Sequence, residues 1–180
     1  MIVTERFWDF SNRIYQREAV QQACLELQNQ HNLDVNMLLF CIWSGIVHGE
    51  LADALYGKAL RVSSNWRSRL VHPLRQARSW MKTGLASAGF KDDPSYLELR
   101  EQIKVIELKA ERLQQLELER LVESQPAADF DQTLAIVQNL KRYCQRQTLD
   151  LDPPVVMLMA VLLEASVPDE NLESALLAMS

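Results

Sequence analysis

Glycine and proline are scarce in this chain, which has 5 Gly and 6 Pro among its 180 residues. Both residue types mark turns, and folds built from many short strands need many of them. We also find no stretch in which apolar and polar residues alternate as they do in a half-buried strand. The scarcity of turn residues therefore argues against a loop-rich or all-β fold.

Long hydrophobic runs are absent as well. The longest apolar run, 155–163, has about half the length that crosses a bilayer. At the start of the chain, charged residues come before any apolar run, which is not the pattern of a secretory signal. We therefore expect no membrane segment and a cytoplasmic location.

Cysteine is rare and unevenly placed. Cys24, Cys41 and Cys144 are an odd number and lie far apart, so they do not form a disulfide framework. Without a secretory signal we expect reduced thiols. Cys24 and Cys41 stand among apolar neighbours, which favours buried, unreactive side chains.

Groups that carry chemistry are also few. The three histidines have no His or Cys three or four residues away, so the spacing of a zinc site is missing. The chain lacks a glycine-rich phosphate loop, a dinucleotide fingerprint and a nucleophile elbow. We therefore assign no catalytic residue, no metal ligand and no cofactor, and favour a non-enzymatic protein.

Helical periodicity dominates what is present, and we predict an all-α multi-helix bundle. Segment 35–47 is apolar on nearly all sides, which is typical of a central, buried helix. Asp34 stands at the N-cap position of this helix, Gly45 permits close packing, and Gly49 suits its end.

A second predicted helix, 95–124, is long and amphipathic, and it contains no Gly or Pro. Apolar residues follow a 4-3-4-3 spacing with coiled-coil character over about two heptads; they are Leu99, Ile103, Ile106, Ala110 and Leu113. We expect this helix to pack along the central helix; pairing with a second copy in a homodimer is the alternative.

Polar residues before apolar runs predict where other helices begin. Asp93 precedes Pro94, Asp152 precedes Pro153, and Asp129 with Gln132 resembles a capping box. We interpret the short segment 125–128 as a linker. We therefore divide the chain into a helical core domain, 1–124, and a C-terminal helical extension, 129–180, packed on that core.

The charge is distributed unequally. The chain has a net charge of -5, yet 58–91 contains eight Lys or Arg and no Asp or Glu, so all other residues together carry -13. We predict a basic helix over 64–85, capped by Ser63 or Ser64 and kinked by Pro73.

On an ideal helix, four cations of this segment fall on one stripe about 22 Å long. We call Arg67, Arg75, Arg78 and Lys82 the basic stripe. Three interpretations stay open: pairing with acids of the same chain, docking of an acidic protein partner, or binding of phosphate on a nucleic acid or small ligand. The charge elsewhere would repel a long polyanion, which disfavours nucleic acid.

Our first functional hypothesis is an interaction module that binds an acidic protein partner through the basic stripe. The second is a small helical enzyme or ligand binder with an apolar pocket near Asp34, Asn36, Trp43 and Trp66. Pockets of this kind are mostly apolar and hold a few placed polar groups.

Several strings resemble an uncharacterised proteobacterial family of short helical proteins. They are FWDFS at 7–11, CLELQ at 24–28, DVNMLLFCIW at 34–43 and PLRQAR at 73–78, with Trp66, Arg67 and Val71. The resemblance covers about the first two-thirds of the chain. It implies a bacterial cytoplasmic protein and brings no catalytic residue, because the family has no established activity.

Overall fold

The computed structural model describes residues 5–83, 93–123 and 129–167, and the regular elements within these ranges are all helical. The all-α prediction is therefore confirmed. The helices are α1 Phe7–Tyr15, α2 Glu18–His31, α3 Val35–Val47, α4 Asp53–Trp66, α5 His72–Thr83, α6 Pro94–Val122, α7 Gln132–Arg146 and α8 Pro153–Ser166, with a π-helical segment at Arg67–Val71 between α4 and α5.

The apolar helix α3 lies at the centre, as predicted, and its bounds are those expected from the sequence. It contacts α1, α2, α4, α6 and α7. Aromatic rings pack along one side, with Phe7 5.6 Å from Phe40 and 5.2 Å from Trp43 between ring centroids. A helix surrounded on so many sides has no room for a polar face, which explains its composition.

Gly45 is the point of closest approach between α3 and α7. A Cβ atom at this position would lie 2.7 Å from the backbone N and Cα of Ile136, which is far inside van der Waals contact. The prediction that Gly45 allows close packing is confirmed. Gly49 follows α3 with φ of +82°, a left-handed conformation that favours glycine and ends the helix.

The last two described helices belong to the same hydrophobic cluster as the first three. α7 packs mainly on α3, and α8 packs mainly on α2. Apolar side chains such as Ile136 and Leu162 are fully buried there. The division into a core domain, 1–124, and an extension, 129–180, stays a prediction, but the two parts share one core.

The basic segment differs from its prediction at its beginning. Ser63 and Ser64 do not cap a new helix, because both lie inside α4. The irregularity falls at the π-helical segment, which ends two residues before Pro73. Proline has no N–H to donate to the carbonyl of Arg69 and its ring crowds that carbonyl, which accounts for a widened turn at this point of the helix.

The long helix α6 begins as predicted, with the Asp93 side chain accepting from the backbone N–H groups of Ser95 and Tyr96. It packs against α1, α3, α4 and α5. Only part of its heptad pattern is covered: Ala110 is buried, whereas Leu99, Ile106 and Leu113 are each about half exposed. Pairing of two copies through this helix stays a prediction.

Two of the remaining helix starts can be compared with the structure. Asp152 caps α8 by accepting from the N–H of Val155, as expected. The capping box at Asp129 is wrong, because Asp131 is the N-cap of α7 and accepts from the N–H of Leu134. Asp131 stands directly before the first helical residue, which is where a side-chain cap reaches the free N–H groups.

The three cysteines are free and buried. Burial raises the pKa of Cys24 to about 12 and that of Cys144 to about 11, and it also raises the pKa of Cys41. Thiols with such pKa values stay protonated and react slowly, which confirms the expectation for Cys24 and Cys41. Within the described ranges, no helix combines the length and apolar character needed to span a bilayer.

We expect Gly45→Ala to destabilise the protein by roughly 1–3 kcal/mol, because α3 and α7 must separate to admit the new methyl group. Gly57→Ala is the matched control, since its Cβ would meet only the Arg61 side chain at 3.6 Å. Because alanine is more favourable than glycine in a helix interior, Gly57→Ala is expected to stabilise the protein by about 0.5–1 kcal/mol. Urea denaturation followed by circular dichroism measures both; equal behaviour of the two variants would contradict the close contact.

Candidate ligand-binding site

A carboxylate lies buried at the beginning of the central helix. The Asp34 residue is 8% exposed. Its Oδ1 accepts from the N–H of Asn36 at 2.9 Å, and its Oδ2 accepts from Ser63 Oγ at 2.5 Å and Gln114 Nε2 at 2.7 Å. These donors come from α3, α4 and α6, so the predicted N-cap also joins three helices.

Three carboxamides extend this network from Asp34 along α6. Asn36 Nδ2 donates to Gln114 Oε1, and Gln115 Nε2 donates to Asn36 Oδ1, each at 2.8 Å. All three side chains are buried. The hydrogen bonds therefore run in one direction, from Gln115 through Asn36 and Gln114 to the carboxylate of Asp34.

The far end of the network has an unused acceptor. Gln115 Oε1 is buried and has no hydrogen-bond partner among the described residues. Leaving a buried acceptor without a partner costs on the order of 1–3 kcal/mol. The position therefore calls for a donor that the described part of the chain does not supply.

A cavity of about 140 Å³ opens beside these side chains, and we call it the amide-lined cavity. Its wall includes Asp34, Asn36, Gln114 and Gln115 together with apolar side chains such as Leu39. Residues from α1, α2, α3, α5, α6 and the π-helical segment contribute to the wall. Convergence of several polar groups on a partly apolar cavity is typical of a binding site for a small molecule.

The charged residues in the wall balance. Asp34 and Glu111 face the cavity with Arg67 and Arg75, so the lining carries two acids and two bases. Arg75 Nη2 donates to Glu111 Oε1 at 2.7 Å. Arg67 Nη2 donates to the amide oxygen of Asn32 rather than to a carboxylate. Such a lining suits a ligand without net charge.

Two titratable groups in the wall have shifted pKa values. Burial raises the pKa of Glu111 above its ordinary value, although the nearby positive charge of Arg75 opposes the shift. Burial also raises the pKa of Tyr15 to about 12, so its hydroxyl keeps its proton. Perturbed carboxyl groups in a cleft are frequent at functional sites.

The structure separates the members of the basic stripe. Arg75 pairs with Glu107 and Glu111, at 3.0 and 2.7 Å. Arg78 pairs with Glu107 at 2.6 Å. Both arginines therefore bind acids of the same chain, as the first of the three sequence interpretations expects.

Arg67 and Lys82 lack carboxylate partners among the described residues. Arg67 lies against two cavities and binds Asn32. Lys82 is exposed near the end of α5. In the basic stripe, Arg75 and Arg78 are thus paired with acids, Arg67 lies at the cavity walls and Lys82 is exposed to solvent. The role of the stripe as a docking surface stays a prediction.

The predicted pocket is divided in the same way. Asp34 and Asn36 line the amide-lined cavity, whereas Trp43 and Trp66 do not. Trp43 packs on Phe7 and donates to the backbone oxygen of Glu5 at 2.9 Å. Trp66 donates to a carboxylate of α6 at 2.6 Å. Both indoles are occupied in packing and hydrogen bonding away from the cavity.

Sequence reasoning missed Gln114, Gln115, Glu111 and Ser63 as site residues. The first three lie within a helix of mixed charge, where glutamine and glutamate are ordinary surface residues. Ser63 was interpreted as a helix cap. The sequence does contain a weak signal. Gln114 and Gln115 are adjacent uncharged polar residues in a segment rich in charge. Gln114 is four residues from both Ala110 and Leu118, so it lies on the same helix face as these buried residues.

Metal ligation finds no support in the described ranges, since no three His, Cys, Asp or Glu side chains come together there. His48 packs edge-on against Trp43, and burial lowers its pKa. The nearby Glu50 and Asp53 both pair with Arg142. These acids therefore contact α7, Glu50 from the loop after α3 and Asp53 from the beginning of α4.

Comparison with known proteins identifies a family. The chain belongs to the family described as a protein of unknown function, DUF2390, whose model matches residues 6–118. The match spans α1 to most of α6 and includes every residue of the amide-lined cavity. No curated protein and no solved structure matches the chain.

The ion pairs of Glu107 predict a dependence of stability on pH. Burial alone would raise the pKa of Glu107. The hydrogen bonds and positive charges of Arg78 and Arg75 together lower it by more than burial raises it, so the pKa lies below the ordinary 4.5. A carboxylate with a depressed pKa stabilises the folded state above its unfolded pKa, and this contribution is lost as the pH falls through the folded pKa. Glu107→Gln should therefore cost roughly 2–3 kcal/mol at pH 7. At a second, acidic pH below the ordinary pKa of 4.5 this cost should be smaller, because the folded state then progressively loses the contribution of the ionised carboxylate.

Glu101→Gln is the control on the same helix. Glu101 forms its ion pair with Lys104, both side chains are more than half exposed, and its charge interaction with Arg78 is weaker than those of Glu107 and Glu111. Its replacement should leave the melting temperature nearly unchanged at both pH values. Thermal unfolding of the two variants and the parent measures the difference, and a Glu107→Gln melt equal to that of Glu101→Gln would refute the role of the buried pair.

Proposed function

We propose that this member of the DUF2390 family binds a small polar molecule without net charge in the amide-lined cavity. The observation that carries the proposal is the buried, unpartnered Gln115 Oε1 beside a cavity already lined by Asp34, Asn36 and Gln114. A ligand N–H or O–H that bonds to this oxygen would recover the cost of its burial. No catalytic step is assigned to the site.

The size of the cavity limits the ligand. A cavity of about 140 Å³ is close to the size that admits a benzene-sized molecule, of roughly six heavy atoms. Sugars and nucleotides are too large for it. Small amides and small zwitterions fit both the volume and the alternation of donors and acceptors along the wall.

The charge balance limits it further. Among the described residues, the lining carries two acids, Asp34 and Glu111, and two bases, Arg67 and Arg75, so its formal charges sum to zero. A singly charged ligand would therefore bring a net charge into the cavity. Buried charges are costly unless they are paired. A zwitterion can place its ammonium group towards Asp34 or Glu111 and its carboxylate towards Arg67, whereas a neutral amide bonds to the carboxamides.

The test is a panel of ligands matched in size and measured by isothermal titration calorimetry with the full chain. The panel contains small amides, small zwitterionic amino acids, and singly charged acids and amines. Neutral amides or zwitterions should bind at least tenfold more tightly than the charged members. Gln115→Leu should weaken this binding at least tenfold, because the free acceptor is removed.

Gln102→Leu is the matched control, since Gln102 is exposed on the same helix and bonds only to Glu98. It should bind the ligand as the parent does. A panel without binding at millimolar concentration, together with a crystal structure in which water alone occupies the cavity, would refute the proposal.

A second candidate function is docking of an acidic protein partner on the basic stripe. The observation that favours it is the exposed ammonium group of Lys82, which forms no ion pair within the described residues. Arg75 and Arg78 support it less, because Glu107 and Glu111 already compensate their charge. Arg67 lies at the cavity wall and not on an open face.

Charge reversal at Lys82 tests this second candidate. Lys82→Glu should weaken binding of poly-L-glutamate severalfold at low salt without lowering the melting temperature, because the side chain forms no ion pair within the described ranges. Lys58→Glu, at an exposed cation of α4, is the control. Fluorescence anisotropy of the labelled polymer measures the affinity, and equal affinity of both variants would count against a docking surface at Lys82.

A further inference from the structure

A second cavity lies on the other side of the Asp34 network. It has a volume of about 490 Å³ and is bounded by α4, the π-helical segment and the end of α7. We call it the arginine-lined cavity, because Arg67 and Arg146 both contribute to its wall. Its volume is within the range of roughly 300–1,000 Å³ that is usual for pockets that bind metabolites.

The electrostatic character of this cavity differs from that of the amide-lined cavity. Among the described residues, its lining contains two arginines and His72 but no aspartate and no glutamate. Arg146 forms no ion pair within the described ranges, and Arg67 bonds to a neutral amide oxygen. By contrast Arg75 and Arg78, which are partly buried like Arg67, pair with carboxylates. Two uncompensated guanidinium groups therefore share one concave surface.

Hydroxyl groups add further donors. Tyr143 lines the cavity, is 1% exposed, and accepts from the backbone N–H of Asp34 at 2.8 Å. Its own O–H has no acceptor among the described hydrogen bonds. Burial raises the pKa of Tyr143, so the hydroxyl keeps its proton. Ser64 also lines the cavity and its hydroxyl makes no described hydrogen bond.

The π-helical segment accounts for the position of these groups. It begins at Arg67, and Ser68 and His72 follow along the same wall. Widening of the helix at this point is a consequence of Pro73, whose ring prevents a regular α-helical turn before it. Segments of this kind occur frequently at functional sites.

We propose that the arginine-lined cavity binds a small organic phosphate, with the phosphate group held by Arg67 and Arg146 and by the hydroxyl groups of Tyr143 and Ser64. A phosphate group offers several acceptor oxygens and no buried donor, and guanidinium groups bind it through paired N–H groups. The cavity is larger than a bare phosphate ion, which leaves room for the organic part beside Leu60.

The chemistry of the wall distinguishes this ligand from a nucleic acid. The site is a concavity between two helices, whereas the chain outside 58–91 carries a net charge of -13. That charge opposes a long polyanion but is largely screened for a small ligand at physiological salt. The arginine-lined cavity is also separate from the amide-lined cavity. Among the described residues, Arg67 lines both cavities, whereas Arg146 lines only the arginine-lined one.

Calorimetry with the full chain at low salt tests the proposal with four probes: inorganic phosphate, glycerol 3-phosphate, ribose 5-phosphate and acetate. An organic phosphate should bind at least tenfold more tightly than inorganic phosphate and than acetate. Arg146→Gln should lower that affinity at least tenfold. Arg69→Gln, at an exposed arginine that lines neither cavity, should leave it unchanged.

Two further measurements separate this site from the amide-lined cavity and from unfolding. Gln115→Leu should not change the affinity for the organic phosphate, since Gln115 lines only the other cavity. The melting temperature of Arg146→Gln should equal that of the parent, because Arg146 is exposed. Absence of binding by every probe, equal binding of all four probes, or equal losses in Arg146→Gln and Arg69→Gln would each overturn the proposal.

Discussion

The buried carboxylate of Asp34 is the constraint on which the arrangement of the helices depends. A buried charge is stable only when donors surround it, and here the donors come from the N–H of Asn36, Ser63 of α4 and Gln114 of α6. The backbone N–H of Asp34 in turn donates to Tyr143 of α7. One residue therefore fixes the position of α3 relative to three other helices.

Apolar contacts could not supply this specificity by themselves. α3 is apolar on nearly all sides, so its hydrophobicity alone does not select a rotation about its axis, and the close approach of Gly45 to Ile136 is one packing constraint. Hydrogen bonds have fixed lengths and directions, and only one rotation lets Asp34 and Asn36 meet Gln114 and Gln115. The same four side chains also line the amide-lined cavity, so the hydrogen bonds that fix the helix packing and the proposed binding site involve the same residues.

The unequal charge distribution has a partly internal explanation. The acids of α6 and the arginines of α5 are about thirty residues apart in the chain, yet the two helices lie side by side. Glu107 is 5% exposed and bonds to both Arg75 and Arg78. Of the four cations of the basic stripe, the two in the middle, Arg75 and Arg78, are therefore compensated. Among the described residues, Lys82 and Arg67 remain without a carboxylate partner, and Arg67 lies where the two cavities meet.

Local features of the sequence were sufficient for much of the fold. The bounds of α3 and the caps at Asp34 and Asp93 depend on a few neighbouring residues, and the sequence predicts each of them. It also predicts that Gly45 permits close packing, but the partner, Ile136, is supplied by the tertiary structure. The cap at Asp129 and the helix start at Ser63 failed because several nearby residues satisfy the same local rule. Which one caps a helix is decided by where the chain enters the bundle.

What the sequence alone determined is the helical class, the burial of 35–47 and the presence of a basic segment in an acidic chain, because periodicity and composition are local properties. Only the tertiary structure decided which charges are paired and which polar groups surround a cavity. Gln114 meets Asp34 across eighty residues of sequence, and no local pattern encodes that meeting. The distance between two side chains in a bundle is set by helix packing, which depends on all contacts of the core at once.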